Sequence, residues 1–522
     1  MFMQNEKRFN EFSRIASLCL FICGLLVLTT CAPKIDSFDP KQGKEGTEVT
    51  IKGKRFKDMP ADNTVKFGDV EVPTTDITYS STTMVKAKVP SDAKTARISI
   101  SNSKGTGYST EKFIVTDSDS AEWTFMVFLN SDNNLEPAGI DDFMEMASVG
   151  SSERVKIVVQ MDRCHGYTNV YGDWAGTKRF LIELEDTPSV TPIADLGEQN
   201  MGDPDVLQDF VEWAITTFPA KHYALSIWDH GDGWRILRDR LIMSVTSEDA
   251  GSNAGWGVSK VVSQDETNDN DVLYMKEVQN ALETALSNIE SQLGKPVKFD
   301  VLGFDACLMG MVEVAYAMRN VANYLVGSEY LEPSDGWSYD SILNELASDP
   351  LLHPQQVADL IVSKYVDAYS DRHGITQSSV DIAKLNNLCT KIDNFVSVAN
   401  TEWSALKIAR TNTLEYHLSG ASVWGVDLWH FTDNVYNQVT STEIKTAALQ
   451  LKNAIEDFVS EEGHSTDMDG SYGISIYFPP DRAAYNNDPE HTGYEESNTV
   501  YPVDFISDYH WDNWLQTFYS NI

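Results

Sequence analysis

The stretch Val297–Met309, VKFDVLGFDACLM, sets the reading of this chain. Apolar and β-branched residues run up to Asp305-Ala306-Cys307, and a helix-like pattern follows at once. Such a run reads as a strand buried on both faces, here delivering a cysteine to the lip of a sheet. Upstream the chain repeats the arrangement with a histidine: Tyr223–Trp228, YALSIW, runs into Asp229-His230-Gly231. Around these two segments, Trp123–Leu129, Val155–Met161 and Tyr324–Gly327 predict further strands. Ile140–Ser148, Asp203–Phe218, Leu273–Leu293 and Met309–Val321 predict helices. The alternation implies an α/β unit, a largely parallel sheet sandwiched by helices, whose ligands bind beyond the carboxyl ends of the strands. Cys307 and His230 both fall at that edge. Beyond residue 340, helices are expected at 353–371, 382–410 and 441–461, and strands at Ser378–Ile382, Ser422–Leu428 and Gly473–Phe478. These form either an extension of the same unit or a packed subdomain.

The 522 residues exceed one ordinary domain, and 42% hydrophobic content suffices for sizeable cores. A formal charge of −38 argues against nucleic acid as a partner, because phosphate binding needs concentrated Lys and Arg. Residues 1–30 read as a targeting segment: Lys7, Arg8 and Arg14 precede the apolar run Ile15–Leu28, 14 residues long. That is shorter than the roughly 20 residues of a spanning helix and suits a signal-peptide core. The run ends in Leu28-Thr29-Thr30-Cys31, which resembles a bacterial lipoprotein signal with Cys31 as the lipidated residue. This implies an exported protein anchored to the bacterial outer membrane or cell surface through lipid; plain secretion is the alternative. Only Cys164, Cys307 and Cys389 then remain in the folded body, and an odd number implies at least one free thiol or a bond to another chain.

Residues 34–116 predict a small all-β domain. Runs at Glu48–Lys52, Thr64–Phe67, Met84–Val89, Ala96–Ser101 and Glu111–Val115 are separated by Gly, Pro, Asn and Asp clusters. PKIDSFDPKQGKEGTEVTIKGKRF, followed by Val65-Lys66-Phe67-Gly68, is similar to the immunoglobulin-like TIG domain. Nothing in it looks catalytic; its expected work is spacing, or recognition of a protein or glycan. Asp117-Ser118-Asp119-Ser120 links it to the α/β unit at 121–522.

At the strand ends, cysteine attacks a carbonyl as thiolate, a form favoured by a nearby imidazole and by a helix N-terminus. The strand-to-helix transition at Cys307 is expected to supply the helix. Histidine suits protonation of a departing amine, and the amides of Cys307 and Gly231 are candidate donors to the developing oxyanion. A buried cysteine after a strand is more often a small hydrophobe than a nucleophile. There is also a rival, Cys164, in Asp162-Arg163-Cys164-His165-Gly166. Its neighbour His165 points to the other side of an extended chain, but pairing of Cys164 with His230 stays open on composition alone.

From Trp123 onward the chain resembles clostripain-like cysteine peptidases, of the caspase–haemoglobinase fold type. The matching stretches are FMVFLNSDNNLE, SIWDHGDGW around His230 and LGFDACLMGMVEVAY around Cys307, then GSEYLEPSDGW, SSVDIAKL and GISIYFP. The resemblance implies His230 and Cys307 as the catalytic dyad, with Cys164 outside the pattern. It also implies cleavage of protein or peptide substrates after Arg or Lys, with Asp305 and Asp335 facing the basic side chain. Residues 235–272, with Arg235, Arg238, Arg240 and Lys260, are a candidate loop for self-cleavage. No cofactor is required on this reading. Calcium is associated with some relatives, and only Asp467–Gly470 and the acidic run SQDETNDND offer oxygen-rich segments, without EF-hand spacing. Two readings compete with the endopeptidase: a catalytically silent surface-binding lipoprotein, and a transpeptidase or ligase on the same scaffold.

Overall fold

The computed structural model describes residues 32–115, 121–235, 262–416, 424–498 and 502–522. The chain divides into two compact units with the main break between Asp119 and Ser120, the short segment Thr191–Ala194 being assigned to the first. The amino-terminal unit is all-β. One sheet pairs Lys34–Asp39, Glu48–Lys54, Met84–Lys88 and Ile77–Ser80 in that order; a second is built around Gly105–Val115, Ala96–Asn102 and Thr64–Phe67. Val49, Ile51, Val65, Phe67, Val85, Ile98, Ile100 and Phe113 are inside, and Glu48–Lys54 and Thr64–Phe67 alternate buried with more exposed residues as expected of a half-buried sheet.

The second unit is organised on a nine-stranded sheet. We number its strands in chain order: β1 (Ala121–Ser131), β2 (Val155–Arg163), β3 (Gly176–Leu181), β4 (Ala194–Gly197), β5 (Ala220–Trp228), β6 (Phe299–Asp305), β7 (Ala322–Gly327), β8 (Thr376–Asp381) and β9 (Val459–His464). Their spatial order is β4-β3-β2-β1-β5-β6-β7-β8-β9. The central strands β2, β1, β5, β6 and β7 are parallel, and β3, β8 and β9 pair antiparallel with their neighbours. Continuous burial along β1 and β5 explains their unbroken apolar sequences, since helices cover both faces of a parallel sheet. The carboxyl-terminal part is an extension of this unit: β8 and β9 complete its sheet, while Gly425–Asp427 and Ser475–Tyr477 belong to a separate three-stranded sheet.

Two expectations change. The segment expected as one helix over 382–410 is broken into Leu385–Val398 and Trp403–Thr411, and the helix expected to reach 461 stops at Phe458, where β9 begins. β9 is only partly buried along its length, so no apolar run advertises it; pairing with β8 makes it a strand.

The helix expected over Met309–Val321 begins only at Val312 and ends at Ala317. Between β6 and that helix the chain turns sharply through Cys307 and Leu308, the latter at φ 64°, a conformation uncommon for a side chain of this size. The turn's amides find partners outside any helix: Leu308 N–H donates to Tyr330 O at 2.9 Å and Gly310 N–H to Ser328 O at 2.7 Å. Cys307 therefore lacks the helix N-terminus expected to favour its thiolate.

Candidate active site

Parallel pairing of β5 with β6 sets Trp228 opposite Asp305, so His230 and Cys307 stand at the same offset past two matched strand ends. The strand ends stay joined, with Asp229 N–H donating to Asp305 O at 3.3 Å. Gly231 presses against the cysteine's backbone: a Cβ there would stand 2.3 Å from Cys307 O and 3.0 Å from its nitrogen. Only a residue without a side chain fits this approach.

His230 is buried, and burial lowers its pKa to about 4, so the imidazole is neutral at physiological pH. Its Nε2 lies 2.9 Å from Asn134 Oδ1. With a carbonyl oxygen as partner, Nε2 carries the proton and Nδ1 keeps the lone pair. Beneath it Asp229 is buried and accepts from His230 N–H at 2.6 Å, Asn133 Nδ2 at 2.9 Å and Gln264 N–H at 2.5 Å. Asn133 and Gln264 thus fix the Asp229 carboxylate, which in turn holds the histidine's backbone amide. Asn134 lies in the quoted FMVFLNSDNNLE run without a role. The signal available was its place just past β1, the strand parallel to β5.

Cys307 is partly exposed and unpaired, as are the buried Cys164 and Cys389. Its Sγ accepts from Glu332 N–H at 3.2 Å. Burial pushes its thiol up to about 12, an effect the Glu332 amide opposes and the Glu332, Asp232 and Asp305 carboxylates reinforce. Among the described residues, Sγ and the His230 ring make no hydrogen bond to each other; each is held by a different neighbour. Cys164 sits elsewhere, against Asp132 and Glu136. Burial, then Asp132, raise its thiol above the ordinary range.

Asp305 is the centre of a buried acidic cluster. Its Oδ2 accepts from Trp337 N–H at 3.1 Å and Tyr339 Oη at 2.9 Å. Burial raises its pKa to about 6, opposed by a hydrogen bond from Glu332, which is itself held protonated by burial and by Asp305. Asp142 joins them: a Cβ on Gly336 would stand 3.0 Å from Asp305 Oδ2 and 3.2 Å from Asp142 Oδ2. Burial, and then the Asp305 charge, push Asp142 well above the usual carboxylate range, while Trp228 Nε1 donates to it at 2.6 Å. Among the described residues no Lys or Arg pairs with Asp142, Asp305 or Glu332. The wall at Gly336–Trp337 is set by Gly303 in β6, where a Cβ would come within 2.2 Å of the Trp337 ring. Asp335 is placed differently. Its side chain is 62% exposed and accepts from Arg372 Nη2 at 2.9 Å. Asp142 lies far along the chain from Asp305, and Glu332 sits in the GSEYLEPSDGW stretch three residues before Asp335; no local pattern marks either as a neighbour of Asp305.

Residues 127–518 match the model of the Clostripain family, and residues 33–115 that of the IPT/TIG domain. The chain belongs to the clostripain family. This makes it a cysteine-type endopeptidase with an N-terminal TIG domain. It is 24% identical to clostripain of Hathewaya histolytica over 465 residues, 76% of this chain and 79% of that one. In fold it is similar to a secreted C11 cysteine protease from Bacteroides thetaiotaomicron solved with an irreversible peptide inhibitor. That likeness has a TM-score of 0.54 at 22% identity and covers 75% of this chain and all of that one. It is also similar to an inactive zymogen C11 protease from Parabacteroides distasonis, with a TM-score of 0.52 at 17% identity, covering 77% of this chain and all of that one.

The remaining sequence-based candidates separate by position. Arg235 is buried at 1% side-chain exposure, with Nη1 and Nη2 each 3.0 Å from Asp488 and with Asp232 and Glu490 nearby. A scissile residue must enter an active site in an accessible, extended segment, so this placement withdraws Arg235 as a self-cleavage site. Arg238, Arg240, Lys260 and the lipidation candidate Cys31 lie outside the described residues, as does the apolar run Ile15–Leu28. Among the described residues no helix is long and apolar enough to cross a membrane. Asp467, in the oxygen-rich run 467–470, spends its carboxylate on Gly374 N–H, Ser465 Oγ and His373.

Proposed function

We propose that this chain is an exported endopeptidase cutting after Arg or Lys, with Cys307 as nucleophile and His230 as general acid and base. The observation that carries this reading is the buried acidic cluster behind Cys307. Three buried carboxyl groups, Asp305, Asp142 and Glu332, meet there, and among the described residues no Lys or Arg pairs with them. Burying carboxylates without a partner is costly. A substrate guanidinium or ammonium would offset that cost through charge-assisted hydrogen bonds. Asp305, two residues before the nucleophile, places the basic side chain so that the following carbonyl lies over Sγ. Asp335 is the outer member of this acidic set.

On this reading Nδ1 of His230 takes the thiol proton and Sγ attacks the carbonyl carbon, with the amides of Cys307 and Gly231 as oxyanion donors. The C–N bond breaks as His230 returns the proton to the leaving amine, and a thioester forms. Water, deprotonated by His230, then releases the acid and restores the thiol. No step calls on a cofactor; calcium enters as a structural ion. Export, a lipid anchor at Cys31, self-processing at Arg238, Arg240 or Lys260, and recognition of a protein or glycan by the TIG domain complete the proposal.

The test is hydrolysis of fluorogenic peptides ending in Arg, Lys, Asn or Asp by wild type and Cys307→Ala. The expected result is turnover of the Arg and Lys peptides alone, abolished in the variant. Turnover of the Asn or Asp peptides, or activity surviving in Cys307→Ala, overturns the assignment.

A further inference from the structure

The histidine and cysteine segments leave the sheet side by side, and a third part of the chain is bonded to both. The first segment, Gly231–Arg235, follows β5, and the second, Cys307–Glu313, follows β6. They press on each other. A Cβ on Gly233 would stand 2.5 Å from Met311 Sδ and 3.1 Å from Leu308 O, as one on Gly231 would meet Cys307. Contact of this kind limits how closely the segments approach but resists their separation only weakly.

The third part runs from Ser475 to Tyr494. On the cysteine side, Ser475 N–H and Oγ donate to Gly310 O at 2.9 and 3.0 Å. Tyr477 N–H donates to Glu313 Oε1 at 3.0 Å, and Tyr494 Oη donates to the same oxygen at 2.6 Å. On the histidine side, the Trp234 ring packs against Tyr477 and Tyr494, with centroids 5.0 and 4.8 Å away. Tyr477 Oη donates to Asp488 Oδ2 at 2.8 Å, and Arg235 Nη1 and Nη2 each donate to an Asp488 oxygen at 3.0 Å. All of these side chains are buried.

Tyr477 is the crossing point. Its amide serves the cysteine segment and its hydroxyl serves the histidine segment, so one rigid residue spans the two. The forked pairing of Arg235 with Asp488 fixes geometry as well as adding energy. Buried hydrogen bonds that satisfy one another rigidify the elements they join.

The amides of Gly231 and Cys307, the candidate oxyanion donors, open these two segments. Such donors act only when held where the negative charge develops, and a misplacement of about 1 Å can cost on the order of a hundredfold in rate. We infer that Tyr477 and Asp488 are positioning residues, which fix the separation of the Gly231 and Cys307 amides from outside the substrate site. The inference rests on Cys307 and His230 being the reacting pair.

The test is steady-state kinetics and thermal unfolding of the full chain as wild type, Tyr477→Phe, Asp488→Asn and Tyr519→Phe. The substrate is whichever of the Arg, Lys, Asn and Asp fluorogenic peptides wild type cuts. Tyr519→Phe is the control, because its buried hydroxyl donates to Pro479 O at 2.9 Å, outside both segments. Tyr477→Phe keeps the ring and the amide bond to Glu313, so it should fold. It should lower kcat by roughly 5–30-fold with KM within about twofold of wild type, the pattern of an interaction made in the transition state. Asp488→Asn should lower kcat further; if it does not fold, Tyr477→Phe decides alone. Tyr519→Phe should lower the unfolding midpoint as much as Tyr477→Phe does, by roughly 1–4 °C, with kcat unchanged. The inference is overturned by a kcat within about twofold of wild type in Tyr477→Phe, by a loss confined to KM, or by an equal loss of kcat in Tyr519→Phe. Cys307→Ala, assayed alongside, keeps the two readings apart. Activity surviving there overturns the cleavage assignment, whereas activity abolished there with kcat unchanged in Tyr477→Phe overturns this inference alone.

Discussion

His230 and Cys307 occupy equivalent positions past two paired strand ends, yet their side chains are held by different partners. The imidazole is bonded to Asn134 at 2.9 Å and the sulfur receives the Glu332 amide at 3.2 Å. With the imidazole and the thiol both neutral, the site holds its nucleophile as the thiol. This relationship makes the consequences of individual substitutions specific.

Asn134→Ala should leave the fold intact, because Asn134 is exposed, but free the imidazole to rotate. We expect kcat to fall by roughly 10–100-fold, short of the full 10²–10⁴ ascribed to general acid–base catalysis because the imidazole itself is retained, with KM little changed. Steady-state kinetics on an Arg peptide decide this. An unchanged kcat would remove Asn134 from the mechanism.

Alkylation of Cys307 reports its thiolate. A pKa raised to about 12 leaves less thiolate at neutral pH than in a free cysteine near 8.5. Iodoacetamide labelling of the ligand-free chain, read by peptide mass spectrometry, should therefore be slow at pH 7 and accelerate continuously beyond pH 9. A small guanidinium compound should speed it at pH 7, because pairing with Asp305 removes one of the charges that hold the thiol protonated. Rapid labelling at pH 6 without ligand contradicts this account.

Asp305 and Asp335 should differ in weight. Asp305→Asn removes a buried carboxylate, and loss of a charged hydrogen bond at about 1.5–3 kcal/mol corresponds to roughly 10–150-fold in kcat/KM for an Arg peptide. Asp335→Asn, exposed and already paired with Arg372, should cost less than about fivefold. The pH profile follows from the sign of the Asp305 shift. The cation binds the ionised form, so kcat/KM for Arg peptides should decline as pH falls through about 6. Equal effects of the two substitutions would relocate the pocket.

Arg235→Ala should destabilise the unit by about 3–5 kcal/mol, because Asp232, Asp488 and Glu490 would remain buried around a missing cation. Denaturant unfolding measures the loss. Mass spectrometry of active wild-type protein should show no chain end at Arg235. A variant as stable as wild type would mean that the network is not a brace.

Much of the central sheet is legible in the sequence because a strand buried on both faces must be apolar throughout. WTFMVFL, VKIVVQM, YALSIW and VKFDVLGFD announce themselves by that rule. The turn after Cys307 is not legible. Met309–Val321 carries helical periodicity, but the amides of Leu308 and Gly310 bond to Tyr330 and Ser328 instead. β9 was missed for the converse reason: its residues are half exposed, and only its neighbour makes it a strand.

The residues alone therefore determined that a cysteine and a histidine end two buried strands, because local hydrophobic pattern dictates strand position and strand position dictates the edge. Which groups surround them was decided only by the tertiary structure. Asn134, Asp142 and Glu332 meet the strand ends through backbone register and loop packing. Arg235, Glu313, Tyr477 and Asp488 converge from segments that share no sequence period. Charges brought together by burial change their proton affinity and their need for a counter-ion, and that interaction exists only once the chain has closed on itself.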